Sequence, residues 1–224
     1  MDKAQRQLTV DIVSDVMCPW CYVGKRRFEK AKALRPDIEL DPRWRPYQLD
    51  PSIPPEGIDR RDYLARKFGG DDAARRIYSA IEQAGEEEGI PFAFDRIERT
   101  PNTLDAHRLI RWAASGGHQD ELVERLFALY FVEGADVGNR DVLLQAAVDS
   151  GMDGRLVGEL IATDADRDLV EQEANLARQM GISGVPCFIV AGRYAVVGAE
   201  SPELIASAFD RGLEDPAGDA AEQG

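Results

Sequence analysis
The sequence predicts an α/β fold in which a large all-helical insertion separates a β-α-β half from a β-β-α half. Three observations predict it. Two β-patterned runs flank a helical stretch near the N-terminus, and two more precede a helix near the C-terminus. Between them, residues from about 59 to 180 carry helical patterns almost throughout. At 224 residues the chain can bury a core without disulfide or metal staples. Its 44% hydrophobic and 30% charged residues belong to a globular protein and exclude the disordered and collagenous classes.

The first strand is expected at 8–14, where Leu8, Val10 and Ile12 alternate with Thr9, Asp11 and Val13. A helix follows. Pro19 suits its first turn, where the missing N–H would be unpaired anyway, and Pro36 ends it. Val23, Phe28, Ala31 and Leu34 supply its apolar face. A second strand over 38–49 contains Pro42 and Pro46, which places it at or near a sheet edge. The loop 50–57 marks a boundary.

Within the insertion, Asn102 is the expected N-cap of a helix stopped by Gly116-Gly117. The run from Glu121 to Gly134 is apolar on most sides, with Leu122, Val123, Leu126, Phe127, Leu129, Tyr130 and Phe131, and is expected to be the buried core helix. One helix is expected to stop at Gly151, and a long one, roughly 164–180, at Gly181. Strands then return at 186–199, with Gly192-Arg193 as the turn. Ser201 caps a last helix, Pro202 opens it, and Leu204, Ile205, Ala208 and Phe209 give it an apolar face. The expected division is 1–55 with 165–213, an insertion over 56–164, and a disordered acidic tail over 214–224.

A net charge of −14 argues against nucleic acid as a partner, because such a surface repels phosphate. No run of about 18 apolar residues offers a membrane span, and no apolar core follows the N-terminal charges. The expected location is therefore the cytoplasm.

The chemistry centres on Cys18-Pro19-Trp20-Cys21, placed between a strand and a helix. The first turn of a helix has unpaired N–H groups and partial positive charge, which favour a thiolate at Cys18. Thiols so placed can have a pKa lowered from about 8.5 to about 3.5–7. Cys21, one turn on, can close a ring with Cys18. A structural zinc site needs four ligands. Beyond the pair the chain offers only Cys187, His107 and His118, so a redox dithiol is favoured and no metal is expected.

These residues resemble the DsbA family, in particular its FrnE-like cytoplasmic branch. The resemblance is carried by the run from Ser14 to Lys25, by Asn102-Thr103 with Ala106-His107-Arg108, by Phe127 to Phe131 with Glu133-Gly134, and by Gly184-Val185-Pro186 with Phe188. It implies a thioredoxin fold whose helical insertion packs over the dithiol. It also implies that Cys18 is the nucleophile, Cys21 the resolving thiol, and Pro186 a cis proline facing them. Val185 would offer its backbone to an extended substrate, with Pro19 and Trp20 shaping the surface around it. The expected activity is thiol-disulfide exchange with a protein, peptide or small thiol and no required cofactor.

The same branch resembles 2-hydroxychromene-2-carboxylate isomerases and kappa-class glutathione transferases. These typically have Ser where Cys18 stands. Glu200 and Ser201 lie where they bind glutathione, so a glutathione-dependent isomerase or transferase is the alternative, with glutathione as co-substrate. Asp15, His107 and Cys187 are supporting candidates. Asp15 is read mainly as a turn residue, His107 as a structurally satisfied histidine and Cys187 as a small buried hydrophobe. The cluster Lys25-Arg26-Arg27 reads first as a solvated face, with added positive potential near Cys18 or attraction of glutathione as the functional alternative. Both monomer and homodimer are compatible with the sequence.

Overall fold
The computed structural model describes residues 6–68 and 71–214, with the side chains of 71–75 left aside. Strand β1 (Arg6–Ser14) leads into helix α1 (Pro19–Ala33) and returns as β2 (Ile38–Pro46). Lys30 and Lys32 occupy the last turn of α1, where cations oppose the negative end of the helix dipole. β2 runs parallel to β1, pairing Arg6 with Ile38 through Ser14 with Pro46. As expected of a strand with two prolines, it lies at the sheet edge.

The insertion holds α2 (Arg60–Phe68), α3 (Asp71–Glu87), α4 (Leu104–Ala113), α5 (Gln119–Ala128), α6 (Arg140–Asp149) and α7 (Gly154–Ile161). It also contains two strands of two residues each, which form a small antiparallel ladder: β3 (Ile58–Asp59) and β4 (Arg99–Thr100). The sequence reading did not foresee them, because two residues carry no periodicity. Asn102 serves the start of α4 from one residue farther out than expected. Its Oδ1 accepts the Leu104 N–H at 3.0 Å, while Thr103 holds the cap position. The predicted core helix is α5 extended by a π-helical turn, Leu129–Glu133, and its seven apolar residues are buried.

Helix α8 (Arg167–Gln179) leads back to the sheet, where β5 (Cys187–Val190) pairs antiparallel with β1, and β6 (Tyr194–Val197) with β5. The strand order is β2-β1-β5-β6. The β5–β6 turn centres one residue earlier than Gly192-Arg193. Ala191 and Gly192 take the left-handed conformations, and Arg193 N–H bonds to Val190 O at 3.0 Å. Helix α9 (Pro202–Glu214) closes the fold. It includes Glu214, the first residue of the expected tail; 215–224 lie outside the described residues.

One face of the sheet packs on α1 and α9, with Phe188 stacked on Phe28 at 5.6 Å and Phe209 edge-on to Phe28. Gly212 of α9 permits this approach, since a Cβ there would lie 2.7 Å from Val190 Cγ1. Leu34 and Leu204, both expected on apolar faces, are about half exposed (46% and 47%). They lie at helix ends beyond the reach of the core. The opposite face of the sheet carries a smaller cluster of Val13, Tyr47, Ala177 and Cys187.

Candidate active site
Strand β1 ends at Ser14, and a tight turn follows in which Cys18 N–H donates to Asp15 O at 2.9 Å. This turn delivers Cys18 to the N-cap position of α1, with Pro19 next in the helix. The first helical turn holds no acidic side chain, and a helix start carries partial positive charge. Cys18 and Cys21 approach within 3.5 Å as free thiols. Cys18 Sγ also donates to Val185 O at 3.6 Å.

The Val185–Pro186 peptide is cis. Pro186 O accepts Gly198 N–H at 2.8 Å, which fixes the loop against the end of β6. On its other side the loop touches α1 at Gly24, where a Cβ would lie 2.6 Å from Pro186 Cγ and 3.4 Å from Phe188 Cζ. Gly24 therefore lets the dithiol helix meet the proline. The sequence reading gave it no role, although the glycine two residues after Tyr22 in an otherwise good helix was a visible signal.

The deeper of the two thiols is Cys21. Cys21 is only 1% exposed, and burial pushes its thiol well up. The Cys18 sulfur adds to this by hydrogen bonding and charge, while the Ser14 side chain and the Asp15 backbone partly offset it. Cys18 is 5% exposed, and Pro19, Trp20 and Val185 around it are half-buried. Of the two sulfur-bearing residues, Cys18 is the less buried.

Behind the dithiol, the Asp15 carboxylate is completely buried. It accepts Leu49 N–H at 2.7 Å and Met17 N–H at 3.5 Å, and His107 Nε2 stands 3.4 Å away. Glu200 and Ser201 are exposed, two and three residues past Gly198, and Ser201 Oγ accepts Leu204 N–H at 3.2 Å. Cys187 is not beside the dithiol. It follows Pro186 directly, but strand alternation sends Phe188 to the α1 face and Cys187 to the other, among Val13, Tyr47 and Ala177. Burial pushes its thiol up as well.

The basic run after the dithiol joins α1 to the insertion. Lys25 is 2% exposed and pairs with Glu29, with Asp120 at 3.1 Å and with Glu124 at 3.3 Å. Burial works against its charge, but the three carboxylates prevail and hold its pKa above the usual lysine value. Arg26 pairs with Glu124, and Arg27 with Glu88 at 3.0 Å and with Ala199 O. These cations form neither a solvated face nor free positive potential. Tyr22, next to Cys21, stacks on Phe127 at 5.0 Å, and burial and Glu124 push its hydroxyl up to about 12. Among the described residues, no group of three His, Cys, Asp or Glu is placed to hold a metal ion, and no helix is long and apolar enough to cross a membrane.

Comparison with known proteins identifies the family of this fold. The model of the DsbA-like thioredoxin domain fits residues 9–210. The chain belongs to the DsbA-like thioredoxin family. Among solved DsbA-like structures, a probable DsbA oxidoreductase from Streptomyces coelicolor is 28% identical with a TM-score of 0.84, covering 97% of this chain and 94% of the other. A 2-hydroxychromene-2-carboxylate isomerase is 17% identical with a TM-score of 0.69, covering 96% of this chain and all of the other. The cytosolic disulfide reductase DsbM from Pseudomonas aeruginosa, solved with glutathione, is 17% identical with a TM-score of 0.62 and covers 92% and 100%. The last two likenesses are of fold.

Proposed function
We propose that this DsbA-family oxidoreductase exchanges disulfides in the cytoplasm with protein, peptide or small thiol substrates through Cys18 and Cys21. The observation that carries the reading is the approach of two free thiols to 3.5 Å at the start of α1, with Cys18 against Val185 O of the cis-proline loop. In the oxidising direction a substrate thiolate attacks Cys18 of the Cys18–Cys21 disulfide. An S–S bond forms to Cys18, and Cys21 leaves with the electron pair. Burial pushes the released Cys21 thiol up, so it takes up a proton. A second substrate thiolate then attacks the substrate sulfur and expels Cys18, leaving a substrate disulfide and a reduced dithiol. The reducing direction is the same path reversed. Val185, with Pro19 and Trp20 around the mouth, receives the substrate backbone as an added strand. Glutathione or a thioredoxin can recycle the dithiol.

The test is a pair of variants in a coupled exchange assay. Cys18→Ser is expected to abolish exchange, and Cys21→Ser to accumulate mixed disulfides visible by mass. Full activity of Cys18→Ser would refute the assignment.

One observation supports a second reading, a glutathione-dependent isomerase or transferase. Glu200 and Ser201 stand at the start of α9, joined through Gly198 to the Pro186 loop, and a helix start attracts a carboxylate. That reading predicts saturable glutathione binding weakened by Ser201→Ala, with turnover that survives loss of Cys21.

A further inference from the structure
We propose that His107, supplied by the insertion, is a positioning residue for the dithiol and acts through Asp15. The proposal rests on the oxidoreductase reading above and names a group that holds its geometry. Asp15 serves both thiols with its main chain: its C=O takes Cys18 N–H at 2.9 Å, and its backbone interaction with Cys21 favours the charged thiol. Whatever fixes Asp15 therefore fixes the turn that carries the chemistry.

The Asp15 carboxylate is wholly buried, and such a group must be satisfied by donors. Oδ2 has the strong Leu49 N–H, but among the described residues Oδ1 has only the 3.5 Å contact to Met17 N besides His107. His107 is 3% exposed, and its Nε2 lies 2.9 Å from Tyr47 O. A carbonyl can only accept, so Nε2 carries the hydrogen and donates it to Tyr47 O, which leaves this electropositive N–H edge 3.4 Å from Asp15 Oδ1.

Tyr47 extends the same frame. Its N–H donates to Ser14 O at 3.0 Å, and its hydroxyl donates to Ile182 O at 3.4 Å, three residues before Val185. One imidazole N–H thus ties the insertion to the strand end beneath Cys21 and, through Tyr47, to the loop bearing Pro186. A role confined to docking the insertion would stabilise the fold without touching the dithiol equilibrium.

The experiment uses the full chain and measures the dithiol–disulfide equilibrium in glutathione buffers by alkylation and mass shift, alongside the melting temperature. His107→Phe keeps the bulk and removes the donor, and it is expected to move the equilibrium constant by at least about threefold, as for groups in one hydrogen-bond network. His107→Gln, whose amide N–H can reach the same acceptors, should stay near the wild-type value. In an Asp15→Asn background the effect of His107→Phe should shrink. Three results would overturn the proposal: a His107→Phe that lowers only the melting temperature, an equal shift in both backgrounds, or a Gln variant as displaced as Phe. If His107→Phe does not fold, His107→Ala is read by the same criteria. A wild-type dithiol that does not equilibrate with glutathione overturns the oxidoreductase reading and this proposal with it. An unmoved His107 variant beside an equilibrating wild type overturns this proposal alone.

Discussion
Cys21 and Cys187 invite comparison because they are the same residue, equally hidden at 1% exposure, with thiols that burial pushes up in both cases. Their surroundings differ in kind. Cys21 has another sulfur within 3.5 Å and interacts with the Ser14 side chain and the Asp15 backbone. Cys187 packs with Val13, Ala177 and the ring of Tyr47 on the far side of the sheet. Burial alone makes a thiol inert, and only a partner sulfur with donors for the departing charge makes a buried thiol useful. One sheet thus holds both kinds of cysteine, separated by the alternation of a single strand.

The largest test of this contrast is activity. Losing Cys21 should stop turnover and trap mixed disulfides, while Cys187→Ala should leave the exchange rate within about twofold, as for a substitution remote from the reacting atoms. A Cys187 bridge to Cys18 or Cys21 in air-oxidised protein, read by mass spectrometry, would break the comparison.

A smaller effect is expected at the contact that brings the proline to the dithiol helix. Gly24→Ala puts a carbon 2.6 Å from Pro186 Cγ. Neither a helix backbone nor a proline ring has a flexible end to move, so the loop must shift. Overpacking of this kind costs about 1–3 kcal/mol. Because the displaced loop carries Val185, exchange should slow by about tenfold, given that an error of about 1 Å in positioning can cost a hundredfold. The urea midpoint gives the first quantity and the exchange rate the second. A Gly24→Ala protein with wild-type values of both would mean that α1 and the loop are not in contact.

These contrasts were unevenly legible in the sequence. The order of strands and helices was readable because β1, α1, α5 and α9 each carry a strong local pattern, and the dithiol was readable because its four residues are contiguous. The direction of Cys187 was also within reach, since strand alternation sends Phe188 and its neighbour to opposite faces. What stayed hidden depends on pairing across the chain. Lys25, Arg26 and Arg27 read as a basic surface until Asp120, Glu124 and Glu88, some 60 to 100 residues away, are folded against them. His107 and Asp15 are 92 positions apart and meet only because the insertion folds back on the β1–α1 turn. Leu34 and Leu204 fit the helical period, yet the period does not say where the core ends.

The finest test compares the two thiols by pH. Both hold their protons in the fully reduced folded protein past 9.0, the ordinary value at which half of such thiols in the unfolded chain have released them. The native state then binds more protons than the unfolded state, so unfolding free energy falls as pH rises. This stability is present in full below about 9 and is lost as pH climbs from there toward the raised folded values. One proton contributes at most about 1.4 kcal/mol per pH unit. Burial raises Cys21 further because the Cys18 sulfur adds to it, whereas Cys187 is raised by burial alone. In urea unfolding under reductant between about pH 8 and 10, Cys21→Ala and Cys187→Ala should therefore each flatten the alkaline slope. Tyr22 and Tyr130, also pushed up by burial, add the same background to every variant, so the slopes are compared as differences. A slope that one substitution leaves unchanged would mean that burial does not hold that thiol's proton in the folded chain, and the two sites would differ in burial as well as in partner.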